Sequence, residues 1–238
     1  MRFDIITLFP ELFAPFFTAG INRRAFLAAD GETPLVDVRL HNPRDFATGT
    51  YRRVDDRPFG GGPGMLMMAE PLALCVESIQ TERGDAAPVV LFSPIGQALN
   101  HTLVESFSAG QGAILVCGRY EGLDQRFIDQ FVTQQISLGD FVLSGGEIAA
   151  IALLDALARL QPGVLGDANS HAQDSFNPSL GGLLDCPHYS RPEVWRGQPV
   201  PPVLMSGNHA AIEAWRTAQR MAITAKQRPD LLKMIAKK

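Results

Sequence analysis

Leu115–Gly122 reads LVCGRYEG, and about twenty residues further on Ile136–Glu147 reads ISLGDFVLSGGE. Each runs from a short apolar stretch into a loop containing glycine. Apolar runs of this length bounded by glycine read as buried strands, and Gln125–Phe131 between them reads as a helix. Working outward, Phe3–Leu8 (FDIITL), the alternating Leu35–Leu40 and Pro88–Phe92 (PVVLF) read as further strands, the last ending at SPIG (Ser93–Gly96). Helices are expected from Pro10, over Met65–Gln80, Leu103–Phe107 and Glu147–Leu160. Buried strands alternating with helices predict an α/β fold with a mostly parallel sheet. Glycine lets backbone N–H and C=O groups approach a ligand without side-chain obstruction. Two such loops, with SPIG and FGGGPG (Phe59–Gly64), predict a ligand crevice at the carboxyl edge of the sheet.

Composition sets bounds on this picture. The 238 residues suit one large domain or a large and a small one. With 46% apolar and 19% charged residues, a soluble chain with a substantial core is expected. Asp4 and Glu11 interrupt the N-terminal segment, which reads as a mature strand rather than a signal peptide. No window reaches the length of a membrane span. Cys75, Cys117 and Cys186 are odd in number and widely spaced. That pattern argues against a disulfide framework or structural zinc, and it suits a reducing cytosol.

The net charge of −4 is no sign of nucleic-acid binding, but its distribution is uneven. His209–Lys238 holds seven Lys/Arg and two acids, a net of +5 that leaves −9 for the rest. Such a tail is either a solvated helix face or an electrostatic footprint for a polyanion. From Gln161 to about Pro202 periodicity disappears, over a length greater than an ordinary connection. Phe176, His188, Tyr189 and Trp195 in that stretch argue against a mere linker. Helices resume over Asn208–Gln227, capped by Ser206 or Asn208, and after Pro229.

The loops match no phosphate-binding fingerprint: no GK[ST] follows them, and GxGxxG is absent. A dehydrogenase on an ordinary dinucleotide-binding sheet is excluded with it. The helix from Glu147 carries only Glu147, Asp155 and Arg159 as charges. Asp155 and Arg159 stand at i,i+4, the spacing of a structural ion pair. Alternatively, Arg159 presents its guanidinium to a developing anion. Asp174, in QDSF, reads by itself as a cap or turn residue. A Ser175–His188–Asp174 triad lacks a GxSxG elbow to support it, and CPHYSRP (Cys186–Pro192) shows no metal-ligand spacing.

Longer motifs carry a resemblance across almost the whole chain. They include ITLFPELF (Ile6–Phe13), VDDRPFGGGPGMLMM (Val54–Met68), LFSPIG (Leu91–Gly96), the two opening stretches, DSF (Asp174–Phe176), GLLDCPHYSRPEVWRG (Gly182–Gly197) and VPPVLMSGNH (Val200–His209). With these the chain resembles the bacterial tRNA (guanine-N1-)-methyltransferases, the TrmD type of the SPOUT superfamily. The resemblance implies a mostly parallel sheet with a deep trefoil knot formed where the two glycine loops cross, followed by a small helical C-terminal domain. Periodicity alone draws an ordinary open doubly wound sheet. The implied layout is a donor-binding domain over 1–160, a long loop over 161–202 carrying the catalytic aspartate, and a basic tRNA-binding domain over 203–238.

The resemblance further implies S-adenosylmethionine as donor and, as acceptor, N1 of the guanine 3′ of the anticodon (position 37), a modification supporting reading-frame maintenance. The donor would be held by Leu91, Phe92, Ser93, Pro94 and Gly96, by Gly118, Tyr120, Glu121 and Gly122, and by Leu138, Gly139, Asp140, Phe141, Val142, Leu143, Gly145 and Gly146. Asp174 would take the N1 proton and Arg159 would stabilise O6, which is what methylation of a protonated ring nitrogen demands. Arg52, Asp55, Arg57, Gly64, Ser175 and His188 would contact tRNA. A cytoplasmic homodimer with active sites shared between subunits is implied, with no membrane partner. Mg²⁺ is associated with activity, but no ligand cluster identifies its site. Gln173 stands where an acid is expected, Phe141 where tyrosine is usual and Ala149 where proline is common; the chain stops soon after RPDLL (Arg228–Leu232), so a shortened RNA-binding domain is expected. The competing reading is a catalytically inactive RNA-binding protein of the same fold.

Overall fold

In chain order, the computed structural model forms strands β1 (Arg2–Ile6), β2 (Asp37–His41), β3 (Asp55–Asp56), β4 (Leu66–Met67), β5 (Val89–Ala98), β6 (Gly112–Val116) and β7 (Gln134–Ser137) in a first compact unit, Met1–Leu165. The same unit holds helices α1 (Ala14–Thr18), α2 (Arg23–Phe26), α3 (Ala69–Arg83), α4 (His101–Ser108), α5 (Gln125–Phe131) and α6 (Glu147–Ala158). A second unit, Gly166–Lys238, holds strands β8 (Val194–Trp195) and β9 (Gln198–Pro199) and helices α7 (His209–Gln227) and α8 (Pro229–Ile235). The structure describes residues 1–28, 32–166 and 171–235.

The first unit is built on a five-stranded sheet in the order β2-β1-β6-β5-β7, and every neighbouring pair is parallel. The expected α/β class and mostly parallel sheet are therefore observed. Alternate residues of a strand face opposite sides, and here each side has its own core. Phe3, Ile5, Val90, Leu115 and Ile136 pack with Leu153 and Leu157 of α6. Ile6, Val89, Leu91, Ile114 and Val116 pack with Leu72, Val76 and Ile79 of α3 and Phe127 of α5. A sheet covered on both faces needs apolar residues at every position, which is why its strands read as continuous runs.

Among the described strands, Asp4 is the one buried charge. It is fully buried in β1. Its carboxylate accepts from Arg2 Nη2 at 2.8 Å and from Arg83 Nη1 at 2.8 Å, and lies 2.8 Å from His41 Nε2. Burial alone would raise its pKa, but the hydrogen bonds from His41, Arg2 and Arg83 outweigh that and hold it well below the usual carboxylate range.

Three elements differ from the sequence reading. The helix expected from Met65 begins at Ala69. Leu66–Met67 pairs instead with β3, and the Met67 N–H donates to Gly122 O at 2.9 Å, so this backbone is already committed. The helix expected from Pro10 is a 3₁₀ turn, Pro10–Leu12, followed by α1. The strand expected to end at Ser93 re-enters the ladder at Gln97–Ala98. The last helical expectations concern caps: Asn208 caps α7, accepting from the Ala211 N–H at 3.1 Å, while Ser206 Oγ accepts from the Asn208 N–H.

In the second unit, the stretch read as aperiodic contains 3₁₀ turns at His171–Gln173, Pro178–Leu180 and Pro202–Met205 and the antiparallel β8–β9 ribbon. It is anchored to α7, where the buried Thr224 hydroxyl accepts from the Leu184 N–H at 3.0 Å. Not every basic residue of the tail is open to a polyanion. Arg220 is 5% exposed and pairs with Glu213 at 2.7 Å. No described helix is long and apolar enough to cross a membrane. All three cysteines are free and buried.

Candidate active site

Because β5, β6 and β7 are parallel, the loops after them leave the sheet at one edge. Phe92 and Gln97 both lie opposite Ile136, so Ser93–Gly96 bulges out of the ladder at that edge. The bulge, Gly118–Leu123 and the segment Ile136–Gly146 enclose a cleft of about 290 Å³. That lies at the lower end of the range for small-molecule sites, about 300–1,000 Å³.

Of the residues expected to hold a donor, all line this cleft except Gly96 and Asp140. Gly96 supports it from behind: a Cβ there would sit 2.4 Å from the Ile136 backbone nitrogen. The lining also includes Arg119, Leu123, Ile128, Ile136, Ser137, Ser144 and Ala149, none of which the sequence marked as a donor contact.

The two glycine loops meet directly. The Gly146 N–H donates to Gly118 O at 3.0 Å, and a Cβ on Gly146 would lie 2.7 Å from Cys117 Cα. Tyr120 adopts φ +60°, a left-handed conformation that costs a non-glycine residue energy and concentrates at functional sites. Gly146→Ala is expected to leave the sheet folded and to weaken ligand binding in the cleft at least about tenfold, since backbone must move to admit the methyl. Calorimetric titration checks this, and an unchanged affinity would show that the crossing is slack.

A buried network joins these loops to β1. Glu147 opens α6 and is 1% exposed. The Thr7 hydroxyl donates to its Oε1 at 2.8 Å, Arg119 Nε donates to the same oxygen at 3.2 Å, and Arg119 Nη2 lies 2.9 Å from Oε2. Arg119 Nη1 donates to Ser144 O at 3.1 Å, and its guanidinium sits 4.4 Å from the Phe9 ring centroid. Local sequence offered one hint, a charged residue opening an otherwise apolar helix. Burial pushes the neighbouring Cys117 thiol well up, which disfavours a thiolate nucleophile there.

Arg159 and Asp174 belong to different units. Arg159 is the half-buried C-cap of α6, its N–H donating to Asp155 O at 3.3 Å. The Asp155 carboxylate, four residues before Arg159, accepts from the Asn22 side-chain amide at 2.9 Å. Asp174, half-buried, follows the His171–Gln173 turn, with its N–H donating to His171 O at 3.2 Å. Ser175 Oγ accepts from the Asp185 N–H at 2.9 Å, and exposed His188 lies 2.8 Å from Asp185 Oδ2.

Arg52 is exposed and pairs with Asp45 at 3.1 Å, Asp55 lies in β3, and the Arg57 N–H donates to Asp56 at 2.8 Å. Gly64 packs on the Glu121 side chain of its own chain, leaving only 2.4 Å for a Cβ. Among the described residues, Asp185, Cys186 and His188 bring potential metal ligands within 4.8 Å of one another. Magnesium takes oxygen ligands and does not match that set. Arg220 Nε, 3.6 Å from Asp185 Oδ1, further opposes a cation.

Fold and cleft together define an α/β protein with a cleft walled by glycine-rich backbone at the carboxyl edge of a parallel sheet. The model of the tRNA (Guanine-1)-methyltransferase TrmD family matches residues 1–234, and the chain belongs to this family of tRNA-modifying enzymes. It is 72% identical over 232 residues to the tRNA (guanine-N(1)-)-methyltransferase of Albidiferax ferrireducens, covering 98% of this chain and 92% of that protein. The protein of the same name from Polaromonas sp. is 70% identical over 236 residues, covering 98% and 89%. That of Bordetella pertussis is 53% identical over 236 residues, covering 98% and 90%.

Proposed function

We propose that the chain transfers a methyl group from S-adenosylmethionine to N1 of the guanine 3′ of the anticodon in tRNA, a modification supporting reading-frame maintenance. The observation carrying this reading is the cleft made by three loops in which Gly96, Gly118, Gly145 and Gly146 leave less than 3.0 Å for a Cβ, in a member of a tRNA methyltransferase family. Backbone N–H and C=O groups of Leu138–Leu143 suit the edge of an adenine, and the apolar walls from Leu91, Ile136 and Leu138 suit its faces. S-adenosylmethionine bound there supplies a methyl group activated on a sulfonium. Neutral guanine N1 carries a proton and is a poor nucleophile. Asp174 would remove that proton, the N1 electron pair would form the new bond to the methyl carbon as its bond to the sulfonium sulfur breaks and leaves a neutral thioether, and Arg159 would donate to O6 as charge moves onto it.

In this reading residues 1–160 bind the donor, 161–202 carry the base and 203–238 bind tRNA through phosphates. The close crossing of Gly118 and Gly146 supports a trefoil knot at the two loops. Ile95, Phe141, Val142 and Ile148 leave more than half their surface exposed around the cleft. Apolar side chains clustered on a rim suit a protein partner, and a second copy of this chain is the partner proposed, giving a homodimer whose active sites are shared.

Incubating the protein with labelled S-adenosylmethionine and unmodified tRNA, then mapping the methylated base, tests the reading. Label at N1 of the guanine beside the anticodon is expected. Tight tRNA binding without any transfer would favour an inactive RNA-binding protein, and label at another base would refute the acceptor.

A further inference from the structure

We infer that Thr7, Glu147 and Arg119 are positioning residues that set the shape of the donor cleft; this rests on reading that cleft as the S-adenosylmethionine site. The three side chains come from the end of β1, the start of α6 and the loop after β6. Arg119 uses each of its three nitrogens differently. Nε and Nη2 face the two carboxylate oxygens of Glu147, and Nη1 holds the Ser144 carbonyl. Phe9 covers the face of the guanidinium at 4.4 Å. The plane of the group is thereby fixed, and with it the carbonyl of Ser144 in the second glycine loop. Lysine has no such planar fork and cannot hold carboxylate and carbonyl together in this way.

The space around the network is also committed. A Cβ on Gly145 would lie 2.3 Å from Arg119 Nε and 2.5 Å from Glu147 Oε2. Phe141, Val142 and Leu143, immediately upstream, are exposed and lie outside both core clusters. The position of that wall of the cleft therefore depends on where Arg119 holds Ser144. A buried ion pair contributes little net stability compared with apolar residues of similar volume, so stability alone is a poor reason for this arrangement.

Separating positioning from stability requires variants that keep the fold. The double variant Arg119→Met/Glu147→Gln removes both charges and leaves neither buried alone. Arg119→Lys keeps the charge and loses the fork. Thr7→Val keeps shape and loses the hydroxyl that donates to Glu147 and accepts from the Phe9 N–H. Donor affinity by calorimetry, donor KM, kcat at saturating donor, tRNA KM and melting temperature are measured for each and for the wild type.

The double variant and Arg119→Lys are expected to raise donor Kd and KM about ten- to hundredfold, the worth of one charged hydrogen bond. Thr7→Val should show a smaller rise in the same direction. The effect should fall on donor KM rather than on kcat or tRNA KM, with Thr7→Val and the double variant melting close to wild type. Unchanged donor affinity in folded variants would make the network merely structural and overturn the inference. A fall in kcat at unchanged donor KM would also overturn it. If a charge variant fails to fold, Thr7→Val decides. A wild-type protein that does not bind S-adenosylmethionine would instead sink the reading of the cleft, and this inference with it.

Discussion

On the proposed mechanism, Asp174→Asn is expected to lower the turnover number about 10²–10⁴-fold, the range for loss of a general base, with the affinity for S-adenosylmethionine expected to stay at the wild-type value. Asparagine has nearly the same shape and can still hydrogen-bond, but it cannot accept the N1 proton. Two backbone hydrogen bonds hold the turn at this position. The Asp174 N–H donates to His171 O at 3.2 Å, and Asp174 O accepts from the Asn177 N–H at 3.2 Å. Substitution should therefore leave the local turn intact and report chemistry rather than folding. Single-turnover methylation with saturating donor and tRNA, paired with donor calorimetry, measures both quantities. Loss of donor binding would move Asp174 into the donor site, and undiminished turnover would place the base elsewhere.

Asp4→Asn is expected to destabilise the first unit by about 3–5 kcal/mol near neutral pH, the cost of removing one partner from a buried ion-pair network. Arg83, whose side chain is 3% exposed, would lose its 2.8 Å ion pair with Asp4 at the inner end of that network and keep its ion pair with Asp85, 2.7 Å from its Nε. The effect has a defined pH dependence. The folded-state carboxyl of Asp4 lies well below its ordinary value of 3.8. A depressed pKa contributes stability that is present above the unfolded pKa and is lost as pH falls through the folded one. The difference between wild type and variant should thus be constant above about pH 5 and shrink as pH drops below about 4. Urea unfolding at neutral and acidic pH checks this. A loss under about 1 kcal/mol, or a difference that does not shrink in acid, would mean that Arg2, His41 and Arg83 find other partners.

How much of this was legible depended on whether an interaction is local. AILVC (Ala113–Cys117) and the run into SLGD read as strands because both faces of the sheet are covered, and that demand is written into consecutive residues. The glycine loops were legible because a close backbone approach excludes every other residue. The bulge at SPIG was not, since its register is set by Ile136, some forty residues away. The helix start at Ala69 was missed for the same reason: Leu66–Met67 looks helical until Gly122 and β3 claim its hydrogen bonds.

For the site, 15 of the 17 residues expected to hold the donor line the cleft, because they lie in contiguous motifs. Arg119 lay inside one of those motifs and was still passed over. Its side chain acquires a role only beside Glu147, 28 residues on, and Glu147 in turn meets Thr7 140 residues before it. The sequence by itself determined the fold class, the family and the glycine-lined loops, since each rests on periodicity, on contiguous motifs or on the steric demands of single residues. The tertiary structure alone decided the cleft's walls and the buried charges beside them. Those depend on pairs of side chains that only the folding of a parallel sheet brings within hydrogen-bonding distance.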